Sequence, residues 1–179
     1  MNTTRRPRQC GVTLVESAMV LGIVAVMVGV AVAAFDEIRA TRALETAAAQ
    51  LRTDVHHARS TAVAMGQTVR LQVQAGVAGS CYLVHTGQAG DCNCSPAGNA
   101  TCTVPARVVR AMSYGPGQGL AIRANSASMA FDAFQGTVTP TGSLTVTNAR
   151  GDQLRVVVNV MGRARTCVAA GRLGGHPAC

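Results

Sequence analysis

Glu16 is the only ionisable residue in residues 12–35, a run that reads VTLVESAMVLGIVAVMVGVAVAAF. A charge at the centre of a membrane costs about 2.5 kcal/mol or more, and less near the edge, so such a carboxylate is tolerable where it meets a cation. At the far end Gly162-Arg163-Ala164-Arg165 sets two guanidinium groups two residues apart. In extended chain those side chains share a face, about 6.6 Å from each other, and two such forks can engage neighbouring phosphates. Arg155 lies on the polar face of a strand expected over residues 154–160 and would extend the cationic surface if Gly162 does not turn that strand. Between the two ends lie the thiols of Cys81, Cys92, Cys94, Cys102, Cys167 and Cys179, with a seventh, Cys10, ahead of the apolar run.

Positioning Glu16 requires the apolar run to be a helix. At ~1.5 Å per residue it is long enough to cross a ~30 Å hydrocarbon core. Arg5, Arg6 and Arg8 precede it, whereas Asp36 and Glu37 follow it. The positive-inside rule therefore leaves the N-terminus in the cytoplasm and residues 36–179 outside. A cleavable secretory signal fits less well, because the run exceeds an ordinary signal core. Further on, Leu44, Ala48, Leu51, Val55, Ala58, Ala62 and Met65 recur at intervals of four and three, and Arg42, Glu45, Arg52, Asp54 and Arg59 are assigned to the other faces. No Pro interrupts residues 12–65. One long helix is expected, membrane-spanning over 12–35, amphipathic over 36–66 and stopped at Gly66.

The amphipathic stripe needs a sheet to cover it. Short alternating runs at residues 69–73, 81–85, 107–114, 120–123, 128–131, 143–147 and 154–160 are separated by Gly, Asn, Pro and Ser clusters. The expected fold is α+β, a long N-terminal helix packed on a mainly antiparallel β-sheet domain over 67–179. Residues 148–153 read as a hairpin turn, which accounts for Arg150-Gly151-Asp152 without an adhesion role.

All sixteen basic residues are Arg, and they are unevenly spread. Residues 36–106 carry five Arg and five acids, whereas residues 107–179 carry eight Arg and two acids, a net of +6. A basic excess confined to the distal half suits a polyanionic partner. No Gly-x-Ser-x-Gly elbow, Walker loop or His-Glu-x-x-His is present, so neither an enzyme nor a catalytic residue is expected. Thiols facing an oxidising compartment favour disulfides. Cys167 and Cys179 enclose a Gly-rich tail whose closure contributes roughly 3 kcal/mol on a chain-entropy basis. Cys92 and Cys94, one residue apart, are badly placed to bond each other. One of them is expected to pair with Cys81 and the other with Cys102, stapling a loop over 91–103. Cys-x-Cys is a poor zinc spacing, and no metal or cofactor is expected.

Gly11, Thr13, Leu14 and Glu16, ahead of the apolar helix, resemble the prepilin leader junction. Residues 129–136, 154–162 and 161–167 resemble the GspH and FimT branch of type IV pilin-like minor pilins and pseudopilins. The resemblance implies a leader over 1–11, containing Cys10, that a membrane prepilin peptidase cuts between Gly11 and Val12. It implies methylation of the new N-terminus and pairing of Glu16 with a neighbouring subunit's terminal amine. Val12 stands where that family usually has Phe. Implied partners are other pilins or pseudopilins and the inner membrane, with the globular domain periplasmic and later part of a pilus or pseudopilus. In the FimT subgroup a Gly-Arg-x-Arg motif is implicated in binding DNA for uptake, which implies that role for Arg163 and Arg165, with Arg155 added. The alternatives are a type II secretion pseudopilin that binds no DNA, and a membrane-anchored periplasmic enzyme.

Overall fold

Helix α1 spans Leu14–Met65 in the computed structural model, which describes residues 13–171 and 173–179, and of residues 30–34 the backbone alone. The helix starts at Thr13, whose Oγ1 accepts a hydrogen bond from the Glu16 amide at 3.3 Å and satisfies one of the orphan donors of the first turn. It stops at Gly66 as expected. Gly66 has a φ of 61°, its amide donates to the Val63 carbonyl, and the Gln67 amide donates to that of Ala62. Those two bonds form a Schellman stop, which favours a residue without a Cβ.

The chain divides within α1 into two compact units, Met1–Ile38 and Arg39–Cys179. In the first, the side chains of residues 13–29 are all exposed. Of the expected membrane segment 12–35, Val12 and the side chains of residues 30–34 lie outside the described residues. Among the described residues no helix is long and apolar enough to cross a membrane.

In the second unit α1 buries its stripe. Leu44, Ala48, Leu51, Val55, Ala58 and Ala62 are at most 1% exposed. Met65, expected to continue them, is 56% exposed at the end of the helix. Asp54 and Arg59 also depart from the polar face. Asp54 is 1% exposed and shares the core-facing side with Leu51 and Ala58, while Arg59 is half-buried.

The strands among the described residues are β1 Val69–Gly76, β2 Gly79–Thr86, β3 Cys92–Cys94, β4 Ala100–Cys102, β5 Val108–Tyr114, β6 Leu120–Ala124, β7 Ser128–Phe131, β8 Val138–Thr139, β9 Gly142–Asn148, β10 Gln153–Val158 and β11 Ala164–Ala170. They form a five-stranded sheet in the order β5-β2-β1-β7-β8, a four-stranded sheet in the order β11-β10-β9-β6, and the small pair β3-β4. All strand pairings are antiparallel. One core joins the α1 stripe to Leu71, Tyr82, Val84, Phe131, Ile122, Leu144, Leu154 and Val156. The fold is therefore α+β, a helix packed on antiparallel sheets. Strand β2 is buried on both faces, because Cys92 of β3 and Ala106 ahead of β5 pack against Leu83 on its outer side.

Strand β10 ends at Val158, two residues short of the expected limit, and the chain then reverses. The Asn159 amide donates to the Arg163 carbonyl at 3.1 Å, and the Gly162 amide to that of Asn159 at 2.9 Å. Gly162 does turn the strand. The condition set for Arg155 to join Arg163 and Arg165 along one continuous strand fails, and β11, absent from the expected strands, follows instead.

Candidate functional site

Gly11 and Val12 lie outside the described residues. Glu16 occupies the third position of α1, three residues after its cap Thr13, the spacing of a capping box. A carboxylate there also lies at the positive end of the helix dipole. The Thr-x-x-Glu spacing announces this helix start in the sequence.

The distal arginines are brought together by a hairpin. In the β10-β11 ladder Arg165 stands opposite Val157, and Arg155 opposite Cys167. Directly opposed residues point to one face and alternate residues share it, so Arg155 and Arg165 project from the same side of the sheet. The other side carries Leu154, Val156 and Val158, all at most 1% exposed. Arg165 is exposed, Arg155 half-buried, and Arg163 exposed in the turn between the strands. The Arg163 amide donates to Asn159 Oδ1 at 2.9 Å, which holds the turn closed.

Arg59 backs the same turn. Its Nε donates to the Gly136 carbonyl at 3.2 Å. At Gly162, where φ is 70°, a Cβ would stand 2.7 Å from Arg59 Cδ and 2.9 Å from the Gly136 oxygen. The glycine of the motif is thus demanded by backbone conformation and by close packing. On the opposite end of β10, Asn148 Oδ1 accepts from the Arg150 and Asp152 amides at 3.0 and 2.9 Å, so residues 148–153 do form the expected hairpin turn.

The thiols are joined as Cys81–Cys94, Cys92–Cys102 and Cys167–Cys179. The first fastens β3 to β2 and the second joins β3 to β4. The third ties the tail to β11, where the Val168 amide donates to the Pro177 carbonyl at 2.8 Å and the Cys179 amide to that of Val168 at 3.0 Å. Among the described residues no group of three or more His, Cys, Asp or Glu is placed to hold a metal ion.

A buried polar cluster was not foreseen. Asp54 accepts from the Tyr82 hydroxyl at 2.7 Å and from Gln50 Nε2 at 2.9 Å, and pairs with Arg110 Nε at 2.8 Å. Burial pushes the Tyr82 phenol far above its usual value, with the hydrogen bond to Asp54 next in weight. Burial also raises Tyr114, whose ring centroid lies 6.4 Å from that of Tyr82. Three polar partners for one carboxylate lock α1 to β2 and β5. Asp54 falls three residues after Leu51 and four before Ala58, and that spacing alone could have placed it inward.

A family model described as type II transport protein GspH matches residues 47–162. No curated protein matches the chain in sequence. Among solved structures it is similar to the minor pseudopilin EpsH from the type 2 secretion system of Vibrio cholerae, with 12% identity, a TM-score of 0.49, and coverage of 70% of this chain and 96% of that one. It is also similar to the type IV minor pilin FimU of Pseudomonas aeruginosa, with 16% identity, a TM-score of 0.48, and coverage of 71% of this chain and 93% of that one.

Proposed function

The chain belongs to the type II transport protein GspH family, whose model spans residues 47–162, and from that membership we propose that it is a minor pilin-like subunit built into a filament through α1. The observation that carries this reading is the surface of the first unit. Leu14, Met19, Leu21, Ile23, Val26 and Met27 are each more than half exposed and are distributed around the helix. A helix apolar on every side needs apolar surroundings throughout, which lipid supplies first and neighbouring subunits' helices supply after assembly. Residues 12–35 number 24, about 36 Å as a helix, enough for a single pass with the N-terminus cytoplasmic and the second unit periplasmic.

In this reading a prepilin peptidase cuts after Gly11, the amine of Val12 is methylated, and Glu16 meets that amine on a neighbouring subunit. The opposed charge offsets the cost of holding a carboxylate away from water. The test uses the full chain. Glu16→Ala and Glu16→Gln are both expected to stay in the inner membrane and to be missing from assembled filaments. Glu16→Gln keeps the side chain's capacity to cap the helix and loses its charge. Normal incorporation of the Gln variant would reduce Glu16 to a capping residue and remove the assembly role.

Within the family, the pilus branch with DNA contact is favoured over a secretion pseudopilus by the arginines of the β10-β11 hairpin. Arg163 and Arg165 are exposed, and neither has an acidic partner among the described residues. Retention of duplex DNA by the full chain in non-ionic detergent at low salt supports that reading, and no retention removes it.

A further inference from the structure

The four-stranded sheet extends the arginine surface beyond the hairpin. Strand β9 pairs with β10 on one side and β6 on the other, and Thr145 stands opposite Arg155 in the first ladder and opposite Arg123 in the second. Arg123, Thr145, Arg155 and Cys167 thus form one row across the sheet, with Arg165 two residues along from Cys167. The row lies on the side away from the core, since Ile122, Leu144, Val146, Leu154 and Val156 are fully buried on the other. With strands ~4.8 Å apart, Arg123 and Arg155 stand roughly 10 Å from each other, and Arg155 and Arg165 roughly 8 Å.

Among the described residues no carboxylate pairs with an arginine of this row. Arg42 pairs with Glu45 and Arg110 with Asp54, away from the row. The two acids of residues 107–179 are engaged elsewhere: Asp132 accepts from the Phe134 and Gln135 amides, and Asp152 accepts from Asn148 Nδ2. Arg155 Nε is buried without a hydrogen-bond partner. Beside it opens a cleft of about 350 Å³ lined in part by Asn125, Ser143, Arg155 and Val157.

We propose that this sheet face is a binding surface for double-stranded nucleic acid, held through its phosphates by Arg123 and Arg155 together with Arg163 and Arg165, without sequence selectivity. The proposal rests on the DNA reading of the hairpin and adds Arg123, the sheet face and the form of the ligand. Guanidinium forks on a rigid sheet match phosphate oxygens and hold their spacing. Proteins that bind single strands offer aromatic rings on which bases stack. This face offers Ser143, Thr145, Thr147 and Val157 instead. Of the chain's rings, Tyr82, Tyr114 and Phe131 are buried, Phe134 lies in the β7-β8 loop and Phe35 in α1. Contacts confined to the phosphate backbone position a duplex and read no bases.

The experiment is a salt titration of the full chain in non-ionic detergent against a labelled duplex, followed by fluorescence anisotropy. Arg123→Ala is expected to flatten the log–log salt slope by about 1 and to weaken binding roughly five- to tenfold near 0.1 M salt, and Arg163→Ala with Arg165→Ala to flatten it by about 2. Arg52→Ala, exposed on α1, is expected to leave both unchanged. Duplexes of unrelated sequence should compete equally, and a single strand of equal length less well. No binding by the parent chain overturns the DNA reading and this proposal together. Binding that the double variant weakens and Arg123→Ala does not overturns the sheet face alone. Equal competition by the single strand overturns the duplex assignment, and equal competition by polyglutamate assigns the face to acidic protein instead.

Discussion

A methyl group at position 162 would have to displace both the Arg59 side chain and the Gly136 carbonyl, and it would sit on a residue with φ of 70°. Crowding of this kind costs typically 1–3 kcal/mol, and a left-handed conformation adds roughly 1–2 for a residue with a Cβ. Gly162→Ala is therefore expected to lower stability by about 2–5 kcal/mol in a urea titration of the full chain in detergent. In an Arg59→Ala background the same substitution should cost about 1–2 kcal/mol less, since the contact with Cδ is gone while the strain and the Gly136 oxygen remain. An unchanged cost in that background would show that Arg59 does not set the fit. The glycine of the Gly-Arg-x-Arg sequence thus has a structural explanation that stands apart from any ligand, whereas its arginines, exposed and without acidic partners, do not.

Among the elements, α1 was legible because a 3.6-residue period and a stop glycine are local signals. Its stripe makes a graded prediction. Leu51→Ala removes a fully buried side chain from the joint core and is expected to cost about 2–5 kcal/mol, whereas Met65→Ala, at the exposed end of the same stripe, should fall within about 0.5 kcal/mol. Equal losses at both positions in the same denaturant titration would mean that Met65 is packed as tightly as Leu51. What escaped the sequence is what depends on a partner. Strand β11 reads Ala-Arg-Thr-Cys-Val-Ala-Ala and shows no clear apolar alternation, so only its ladder with β10 reveals it. Strands β3 and β4 have three residues each, pair with one another, are joined by Cys92–Cys102 and are fastened to β2 by Cys81–Cys94. In the sequence Asp54 reads as outward, because charge ordinarily marks a solvated face. Its burial depends on Tyr82 and Arg110, which are 28 and 56 residues away along the chain.

At the scale of the whole molecule, composition and burial combine into a pH dependence. Every basic side chain is Arg and none is Lys, so no side-chain cation is lost on approach to pH 12. Six of the seven cysteines are in disulfides and do not titrate. The side chains left to lose protons between about pH 9.5 and 12 are chiefly Tyr82 and Tyr114, both inside the core and both raised above the ordinary phenol value by burial. The unfolded chain releases these protons near pH 10 while the folded chain retains them, so above pH 10 the unfolded state binds fewer protons and stability must fall. The stability contributed by the neutral phenols is fully present below pH 10 and is lost as pH rises toward their folded values. The expected slope is about 1.4 kcal/mol per pH unit for each tyrosine. Tyr82→Phe should remove roughly one such share from the slope, and phenolate absorbance of the parent chain should appear together with unfolding. A slope that Tyr82→Phe leaves unchanged would remove Tyr82 from the titration, and phenolate absorbance that rises before the fold is lost would show that the buried phenols do not carry it.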